Sequence, residues 1–544
     1  MTSSVISRLT LSFVSLLLIF CCSCQTKQKV TSEAVEKPTA VETKPAETKQ
    51  VTEVQKPAEP LEVKPAAVQA EPNKPAEVKP VTVTQEPNQP RTAQAPPQPS
   101  DIVAKIGDCV ITRGELEEKM MYDLRPYPGK YSGKTAEPDS AEKVLMDMIV
   151  EKAMIMDGRE KNYLDDEIIH SSVQRLTDRK LISLLLGTHL GGKLNVISLE
   201  IDEAMKADPK LDKAGATEML KRSKSNKLMQ DYYNQIHERR NVKKLNDNIA
   251  KAAEIHKRLR TSGKTGFILE SQVREDVTPE EKGLVLAEYD GGKVTLKDWF
   301  GFLCEMSPPS RPPDLNSPAG VDRLLDRALR TSLFVTEALS LGLDKDKELC
   351  KQVKEYEDRR LLGKAREEKT RDIVNQQISN DELIAYFNKD RKGFGRPDAV
   401  TIDQIWCQDH QTAEKVKQEL DSGKNFELVK QEYSLEKKGT ARDVYLAYEG
   451  IFFKDILDAE PNTIIGPMKG FYENTIKWRL VKIIEKKPAE QVEYSDNIKN
   501  TVRSKIISEQ AKAVLEQYRK ELLEKYPYEI YQGKIKGIDL LDIP

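Results

Sequence analysis

The segment IVAKIGDCVITRGEL, residues 102–116, aligns without a gap with the segment VLAEYDGGKVTLKDW, residues 285–299. Each begins with an alternating apolar run, turns at Gly and Asp, and continues through a second apolar run to a threonine. This order predicts a β-hairpin whose last residue, Thr112 or Thr295, is the N-cap of a helix. The chain therefore contains one structural unit twice.

A helical stretch follows each hairpin, and residues 145–164 correspond to residues 324–343 without a gap. An apolar stripe at helical spacing marks the second copy, at Leu324, Leu325, Ala328, Leu329 and Leu333. Such a stripe must bury against another element. We predict mainly helical domains at residues 101–265 and 283–395, the first ending in a solvated, charged arm with surface histidines. The alternative is two unrelated amphipathic helices behind two hairpins.

A third pattern occupies residues 399–487. An alternating strand at residues 399–406 is followed by a helix at residues 412–420, a second helical segment at residues 422–434, a segment at residues 461–468 and a strand at residues 477–483. This is a β-α-α-β-β series. Together with the helical domains, it predicts an α+β fold.

The chain continues into a long amphipathic helix and a short strand, which we assign to residues 488–531. The apolar side of this helix consists of Tyr494, Ile498, Val502, Ile506, Ile507, Ala511, Val514, Leu515, Tyr518 and Leu522.

The duplicated hairpin and helix resemble the N-terminal chaperone domain of the SurA, PrsA and PpiC group of exported folding factors. The resemblance implies that residues 488–531 return to complete the chaperone domain. The alternative is a free-standing helix that pairs with another chain.

Residues 399–487 look like a parvulin-type peptidyl-prolyl isomerase domain, on the motifs SGKNFELVKQEYS, residues 422–434, and PNTIIGPM, residues 461–468. In that family two histidines face each other on the floor of the site, and the matching positions here are Gln404 and Arg479. The candidate peptide-binding side chains are Trp406, Phe452, Phe453 and Met468.

The absence of both histidines bears on activity. A prolyl isomerase lowers a rotation barrier of roughly 18–20 kcal/mol by holding the X-Pro amide in an apolar, poorly hydrated pocket. A glutamine and a cation would change the polarity of that floor. We therefore expect weak or no isomerase activity, name no catalytic residue and expect no cofactor.

The N-terminus predicts export. A mostly apolar run from Leu9 to Phe20 follows Arg8 and ends in three cysteines within four positions, which resembles a lipoprotein signal peptide, residues 1–24, with Cys24 as the lipidated residue. The alternative is an ordinary secretory signal. Residues 25–100 hold 13 of the 29 prolines and no aromatic residue, which predicts an extended, disordered linker.

Composition excludes other classes. The 86 basic and 88 acidic residues nearly cancel, so no global field would attract nucleic acid, and 32% charged residues exclude a polytopic membrane protein. The other cysteines, Cys109, Cys304, Cys350 and Cys407, form no CxxC pair, so we expect no metal site. Pairing of Cys304 with Cys350 stays open.

These features predict a lipid-anchored folding factor of the cell envelope that binds unfolded or Pro-containing exported polypeptides. Gln25 is not the Asp that in many lipoproteins signals inner-membrane retention, which favours the periplasmic face of the outer membrane. Two alternatives are an active isomerase with an atypical site and a tethered scaffold that binds one fixed partner. The sequence leaves the oligomeric state open.

Overall fold

The computed structural model describes residues 98–127, 136–262, 267–437, 441–473 and 475–542. The predicted signal peptide with Cys24, and all of the predicted linker before residue 98, lie outside the described residues. Within the described ranges, no helix has both the length and the apolar character needed to cross a membrane.

The helices are α1 Arg113–Leu124, α2 Ala141–Glu160, α3 Glu167–Leu190, α4 Ser198–Ala207, α5 Lys213–Arg239, α6 Asn246–Ser262, α7 Glu270–Asp276, α8 Pro279–Lys282, α9 Leu296–Glu305, α10 Pro318–Ser340, α11 Lys347–Asn375, α12 Asn380–Lys389, α13 His410–Asp421, α14 Phe426–Tyr433, α15 Leu446–Glu449, α16 Phe453–Asp458, α17 Asp496–Lys525 and α18 Gln532–Ile535. The strands are β1 Ile102–Ile106, β2 Cys109–Thr112, β3 Lys243–Lys244, β4 Val285–Tyr289, β5 Gly292–Thr295, β6 Ala399–Cys407, β7 Arg442–Val444, β8 Ile464–Tyr472, β9 Thr475–Lys487 and β10 Tyr528–Ile530. The α+β class predicted from the sequence is confirmed.

The described residues form two compact units. The inserted unit consists of residues 240–330, and the main unit consists of residues 98–239 and 331–542. This division differs from the predicted boundaries at residues 101–265 and 283–395, because the units meet at residue 239, where α5 ends, and at residue 330, within α10.

The first predicted hairpin lies in the main unit, in a three-stranded antiparallel sheet of order β10-β1-β2. The last strand enters from the far end of the chain, with Ala104 opposite Ile530 and Ile106 opposite Tyr528. Helices α2, α11 and α17 cover this sheet with one apolar cluster, which includes Leu145, Ala365, Tyr518 and Leu522 among its buried members. The C-terminal helix and strand thus pack on the first hairpin.

The second hairpin lies in the inserted unit, in a sheet of order β3-β4-β5. It repeats the first hairpin in detail. The pairing shifts between Ile102 and Ala104 in one copy and between the aligned Val285 and Ala287 in the other. Thr112 and Thr295 each form a capping box, with Glu115 and Asp298 respectively.

The third strand of each sheet arrives from a different direction along the chain. In the first sheet β10 follows the hairpin by some four hundred residues, whereas in the second sheet β3 precedes the hairpin. The pairing is nevertheless equivalent. The amide of Tyr531 donates to the carbonyl of Val103 at 2.9 Å, and the amide of Leu245 donates to the carbonyl of Leu286 at 2.9 Å. The two sheets are therefore related by a permutation of element order.

A buried carboxylate joins the long helices of the first copy. Asp157 of α2 is 3% exposed and accepts a 2.6 Å hydrogen bond from Tyr518 Oη of α17. About two turns further along α17, Lys525 Nζ lies 3.0 Å from Asp157 Oδ1. A buried carboxylate needs such partners, since its charge has lost water.

The second copy repeats this arrangement within the main unit. Glu337 of α10 is 6% exposed, pairs with Arg239 Nη2 at 2.7 Å and hydrogen-bonds Tyr232 of α5. The spacing from Tyr232 to Arg239 equals the spacing from Tyr518 to Lys525. Helix α5 with β3 is therefore the counterpart of α17 with β10.

This finding corrects the interpretation of residues 165–265 as a solvated arm. Tyr232, Tyr233 and Ile236 of α5 are buried, and the ring of His189 stacks on Tyr232 with a centroid distance of 3.6 Å. His256 is also buried, in the inserted unit, with Nδ1 2.8 Å from Asn316 Oδ1. Burial lowers the pKa of His256, although the Asn316 contact opposes the shift.

The segment from β6 to β9 forms a four-stranded antiparallel sheet of order β7-β6-β9-β8, here called the parvulin-like domain. Helices α13 and α14 cover one face, against Ile405, Cys407 and Leu480. On the other face, α15 and α16 pack over a cluster that includes Phe453 and Val481. The three-residue strand β7 is additional to the predicted β-α-α-β-β series.

Candidate functional site

The two positions where the resemblance places histidines are in direct contact. Trp406 lies opposite Arg479, and Gln404 lies opposite Val481, in the β6–β9 ladder, so Gln404, Trp406 and Arg479 share one face of the sheet. Arg479 Nη1 donates a 2.9 Å hydrogen bond to Gln404 Oε1. Both side chains are buried, and Arg479 is 0% exposed.

A third residue completes this floor. Glu449, at the end of α15, is 4% exposed, and its Oε2 lies 2.5 Å from Arg479 Nη2. Two buried charges of opposite sign thus compensate each other, which a lone guanidinium in an apolar interior cannot do. Neither motif predicted from the sequence includes Glu449. It lies between the two motifs, and only its distance from Arg479 in space reveals its role.

The guanidinium is enclosed on its remaining sides. The Arg479 Cζ atom lies 4.9 Å from the centroid of the Trp406 ring, and Trp406 in turn contacts Tyr472 at a centroid distance of 5.1 Å. Gly470 faces the guanidinium so closely that a Cβ atom there would clash with Arg479 Nε. Among the described residues, Arg479 Nε has no hydrogen-bond acceptor. The side chain therefore fills the floor of the domain.

The other predicted binding residues lie in different surroundings. Trp406 and Phe453 are each 1% exposed and belong to the interior of the parvulin-like domain. Phe452 forms a separate apolar cluster with Leu124 and Ile476, and Met468 packs against that cluster and against the neighbouring one. Met468 thus joins the cluster of Phe452 to the cluster that contains Phe453, whereas Trp406 and Phe453 themselves are not accessible to a bound peptide.

His410 does not replace the absent histidines. Its ring packs on Trp478 with a centroid distance of 4.3 Å. Trp478 precedes Arg479 in β9 and packs with the cluster under α13 and α14, so it faces away from Gln404.

The arrangement limits the chemistry of the site. The parvulin-like floor presents an ion pair with an amide, and Cys407, on the opposite face, is buried, which raises the pKa of its thiol to about 12. Within the part of the chain that the structure describes, no group of three or more metal-ligating side chains is assembled. None of the four cysteines in the described ranges is in a disulfide bond.

A second candidate surface lies on the helical hairpin of α4 and the start of α5. Its small core consists of Ile201, Ala204 and Ala216. Three large apolar side chains on this hairpin remain in solvent: Ile197 is 59% exposed, Leu199 63% and Met219 44%. Single exposed apolar residues are ordinary, but a group on one small hairpin is typical of an interaction site. We call these three residues the hairpin-tip surface.

Solved structures similar to this chain include a SurA-like chaperone from Campylobacter jejuni. It is 16% identical, the match covers 44% of this chain and 97% of the other, and the TM-score is 0.22. PrsA from Bacillus subtilis is 17% identical over 32% of this chain and 64% of the other, with a TM-score of 0.14. The peptidylprolyl isomerase PrsA from Bacillus cereus is 15% identical over 59% of this chain and 89% of the other, with a TM-score of 0.20.

These structures bear the descriptions that the sequence resemblance names, SurA-like and PrsA-type folding factors. Likeness at TM-scores this low does not assign an activity to this chain. No protein-family model matches the sequence, and no curated protein matches it.

Proposed function

We propose that this protein is a folding factor of the cell envelope that holds unfolded exported polypeptides, and that its parvulin-like domain does not catalyse prolyl isomerisation. The observation that carries the proposal is the buried Arg479, which lies 2.5 Å from Glu449 and hydrogen-bonds Gln404. Arg479 and Gln404 occupy the two positions where the resemblance places histidines.

The physical reason concerns the polarity of the floor. Rotation about the X-Pro bond requires the amide to lose its resonance. An apolar, poorly hydrated pocket makes that loss easier than water does, because it offers few donors to the amide oxygen. Here the Arg479 guanidinium, packed against Trp406 and Gly470, and the buried Glu449 carboxylate occupy that position. A prolyl peptide bond would have to displace a paired, desolvated charge to reach the floor, which costs several kcal/mol by the usual penalty for an unpaired buried ion.

Client binding then depends on other surfaces. The hairpin-tip surface offers three exposed apolar side chains on a helical support, which suits sequence-tolerant contact with apolar client segments. Met219 adds an unbranched, adaptable side chain of the kind used at promiscuous binding surfaces.

The envelope location is part of the same proposal. Lipidation of Cys24 and an extended linker of residues 25–100 would hold the folded units away from a membrane, at the periplasmic face of the outer membrane. Both features rest on the sequence alone.

One experiment tests the function directly. Aggregation of a chemically unfolded client is followed by light scattering with wild type and with the triple variant I197S/L199S/M219S. We expect wild type to suppress aggregation and the triple variant to lose most of the effect. L428S is the matched control, because Leu428 is 71% exposed and lies on α14, away from the hairpin tip. Equal suppression by all three proteins would contradict the assignment of this surface.

Catalysis is measured separately, as isomerisation of a short Ala-Pro peptide. We expect no acceleration by wild type, with an active parvulin in the same buffer as the positive control. Acceleration that Q404H/R479H does not raise would overturn the argument from the missing histidines. Recovery of one stoichiometric partner, and no unfolded clients, in a pull-down would instead favour a scaffold.

A further inference from the structure

The C-terminal segment is anchored to the first repeat before it continues. Ile535 of α18 is 3% exposed and packs in the core beneath the first sheet. Arg113, at the start of α1, donates from Nη1 to the carbonyl oxygens of Lys534 at 2.6 Å and Lys536 at 3.2 Å. The backbone up to residue 536 is therefore fixed, and Gly537, with φ +73°, redirects the chain.

Beyond Gly537 the segment reaches the parvulin-like domain. Leu540 and Leu541 pack against the apolar cluster formed by Leu124, Phe452 and Ile476. Lys469 of β8 donates from Nζ to the carbonyl oxygen of Leu541. Residues 538–542, here called the tail, thus contact this domain through the side chains of Leu540 and Leu541 and the carbonyl oxygen of Leu541.

The surface under the tail includes two of the four residues to which the sequence assigns peptide binding, Phe452 and Met468. Phe452 is 8% exposed in the presence of the tail, and its ring contacts Phe471 at a centroid distance of 5.1 Å. Met468 packs against the same cluster. Lys469 also lies over the Trp478 ring, with Nζ 4.9 Å from the ring centroid. Its ammonium group is therefore a hydrogen-bond donor at the edge of this surface.

We propose that the tail is a built-in occupant of a peptide-binding surface, and that it is displaced by client segments with two adjacent large aliphatic side chains. The inference rests on the proposed function, since it names where part of a client would bind. The two leucines supply apolar contacts and the Lys469 hydrogen bond reads the backbone, a combination that selects extended, apolar peptides with little sequence preference. An occupant on the same chain is present at high effective concentration, so it lowers the apparent affinity of the surface for free peptides.

The test uses the full chain and a fluorescent peptide with the sequence of residues 537–544, GIDLLDIP. Fluorescence anisotropy compares wild type, L540S/L541S and the surface control L428S. We expect the peptide to bind L540S/L541S at least tenfold more tightly than it binds wild type or L428S. A peptide with both leucines replaced by serine is expected to bind none of them. Equal affinity for wild type and L540S/L541S overturns the proposal.

A second variant, K469M, tests the hydrogen bond from Lys469 separately from the two leucines. K469M removes the hydrogen bond to the carbonyl of Leu541 and keeps both leucines in place. We expect it to bind the aliphatic control peptide Ac-Ala-Leu-Leu-Ala-amide less well than L540S/L541S does, because the free surface also uses Lys469. Equal binding by the two variants would refute the role of Lys469.

Aggregation suppression in parallel separates this inference from the proposed function. Suppression by wild type together with unchanged peptide binding by L540S/L541S rejects the tail as an occupant and leaves the holding function standing. Tight peptide binding by L540S/L541S without suppression by any of the proteins supports the occupied surface and rejects the holding function.

Discussion

Tyr518 Oη donates a 2.6 Å hydrogen bond to Asp157 Oδ2 and so joins two helices whose residues are 361 positions apart in the chain. Burial favours the neutral form of Asp157, but hydrogen bonds from Lys161, Tyr518 and Lys525 outweigh it and lower the pKa of Asp157 to about 2. Burial and the neighbouring carboxylate raise the pKa of Tyr518. The phenol therefore remains a donor at any pH where the protein is used.

This geometry predicts an acid dependence of stability. The pKa of Asp157 is lower in the folded protein than its ordinary value of 3.8, so the stabilisation is present above about pH 4 and is lost as pH falls toward about 2. A shift of this size corresponds to roughly 2 kcal/mol. We expect D157N to be less stable than wild type near neutral pH and the two to converge toward pH 2, as measured by urea unfolding at a series of pH values.

The control for this series is D202N, because Asp202 is exposed on α4. Its unfolding free energy should follow that of wild type throughout. A constant difference between D157N and wild type from pH 7 to pH 2 would exclude the titration of Asp157 as the cause.

The repeated carboxylate–tyrosine contact predicts matching effects in the two copies. Y518F and Y232F each remove one hydroxyl from a buried carboxylate and keep the ring. We expect each variant to lose about 1–3 kcal/mol of unfolding free energy. Y122F is the control, since Tyr122 is 67% exposed. A loss in Y518F alone would show that the second contact does not have the same energetic role.

The ion pair beneath the parvulin-like sheet predicts strong coupling between its members. R479M leaves Glu449 buried without its cation and should cost about 3–5 kcal/mol, whereas R479M/E449M removes both charges and should recover most of the loss. Urea unfolding of wild type, both single variants and the double variant gives the coupling energy. Additive losses would mean that the pair is not a unit.

Thiol accessibility provides a check on the cysteines. Cys350 is exposed, whereas Cys407 is 0% exposed and burial raises the pKa of its thiol to about 12. We expect a thiol reagent to modify Cys350 in the native protein and to reach Cys407 only after unfolding. Peptide mapping by mass spectrometry, with C350S as the control, identifies the modified residue. Early modification of Cys407 would contradict its burial.

The sequence predicted the features that depend on contacts within a short segment. The Gly/Asp turns and the capping residues Thr112 and Thr295 specify two hairpins, each followed by a helix, because the necessary contacts lie within a few residues. The alternation in residues 399–406 likewise predicted β6.

Long-range partners were beyond such patterns. Lys243 and Lys244 carry no strand signal in the sequence, yet they pair with β4. Helix α5 precedes them in the same way that α17 precedes β10. Glu449 lies outside both recognised motifs, and its partner Arg479 lies 30 residues away. A charged residue in a sequence is normally predicted to be exposed to solvent. A buried ion pair is therefore predicted only when both of its members are known to lie close together.

The permuted element order has a consequence for biosynthesis. A chain that emerges from its N-terminus has β3 available before the hairpin of β4 and β5 appears, so that sheet can close as soon as its last strand is made. The first hairpin must wait for residues 528–530, and until then β1 presents an unpaired edge. For most of its synthesis the nascent protein therefore has one edge of β1 unpaired. Any product that terminates before Tyr528 keeps this edge of β1 unpaired.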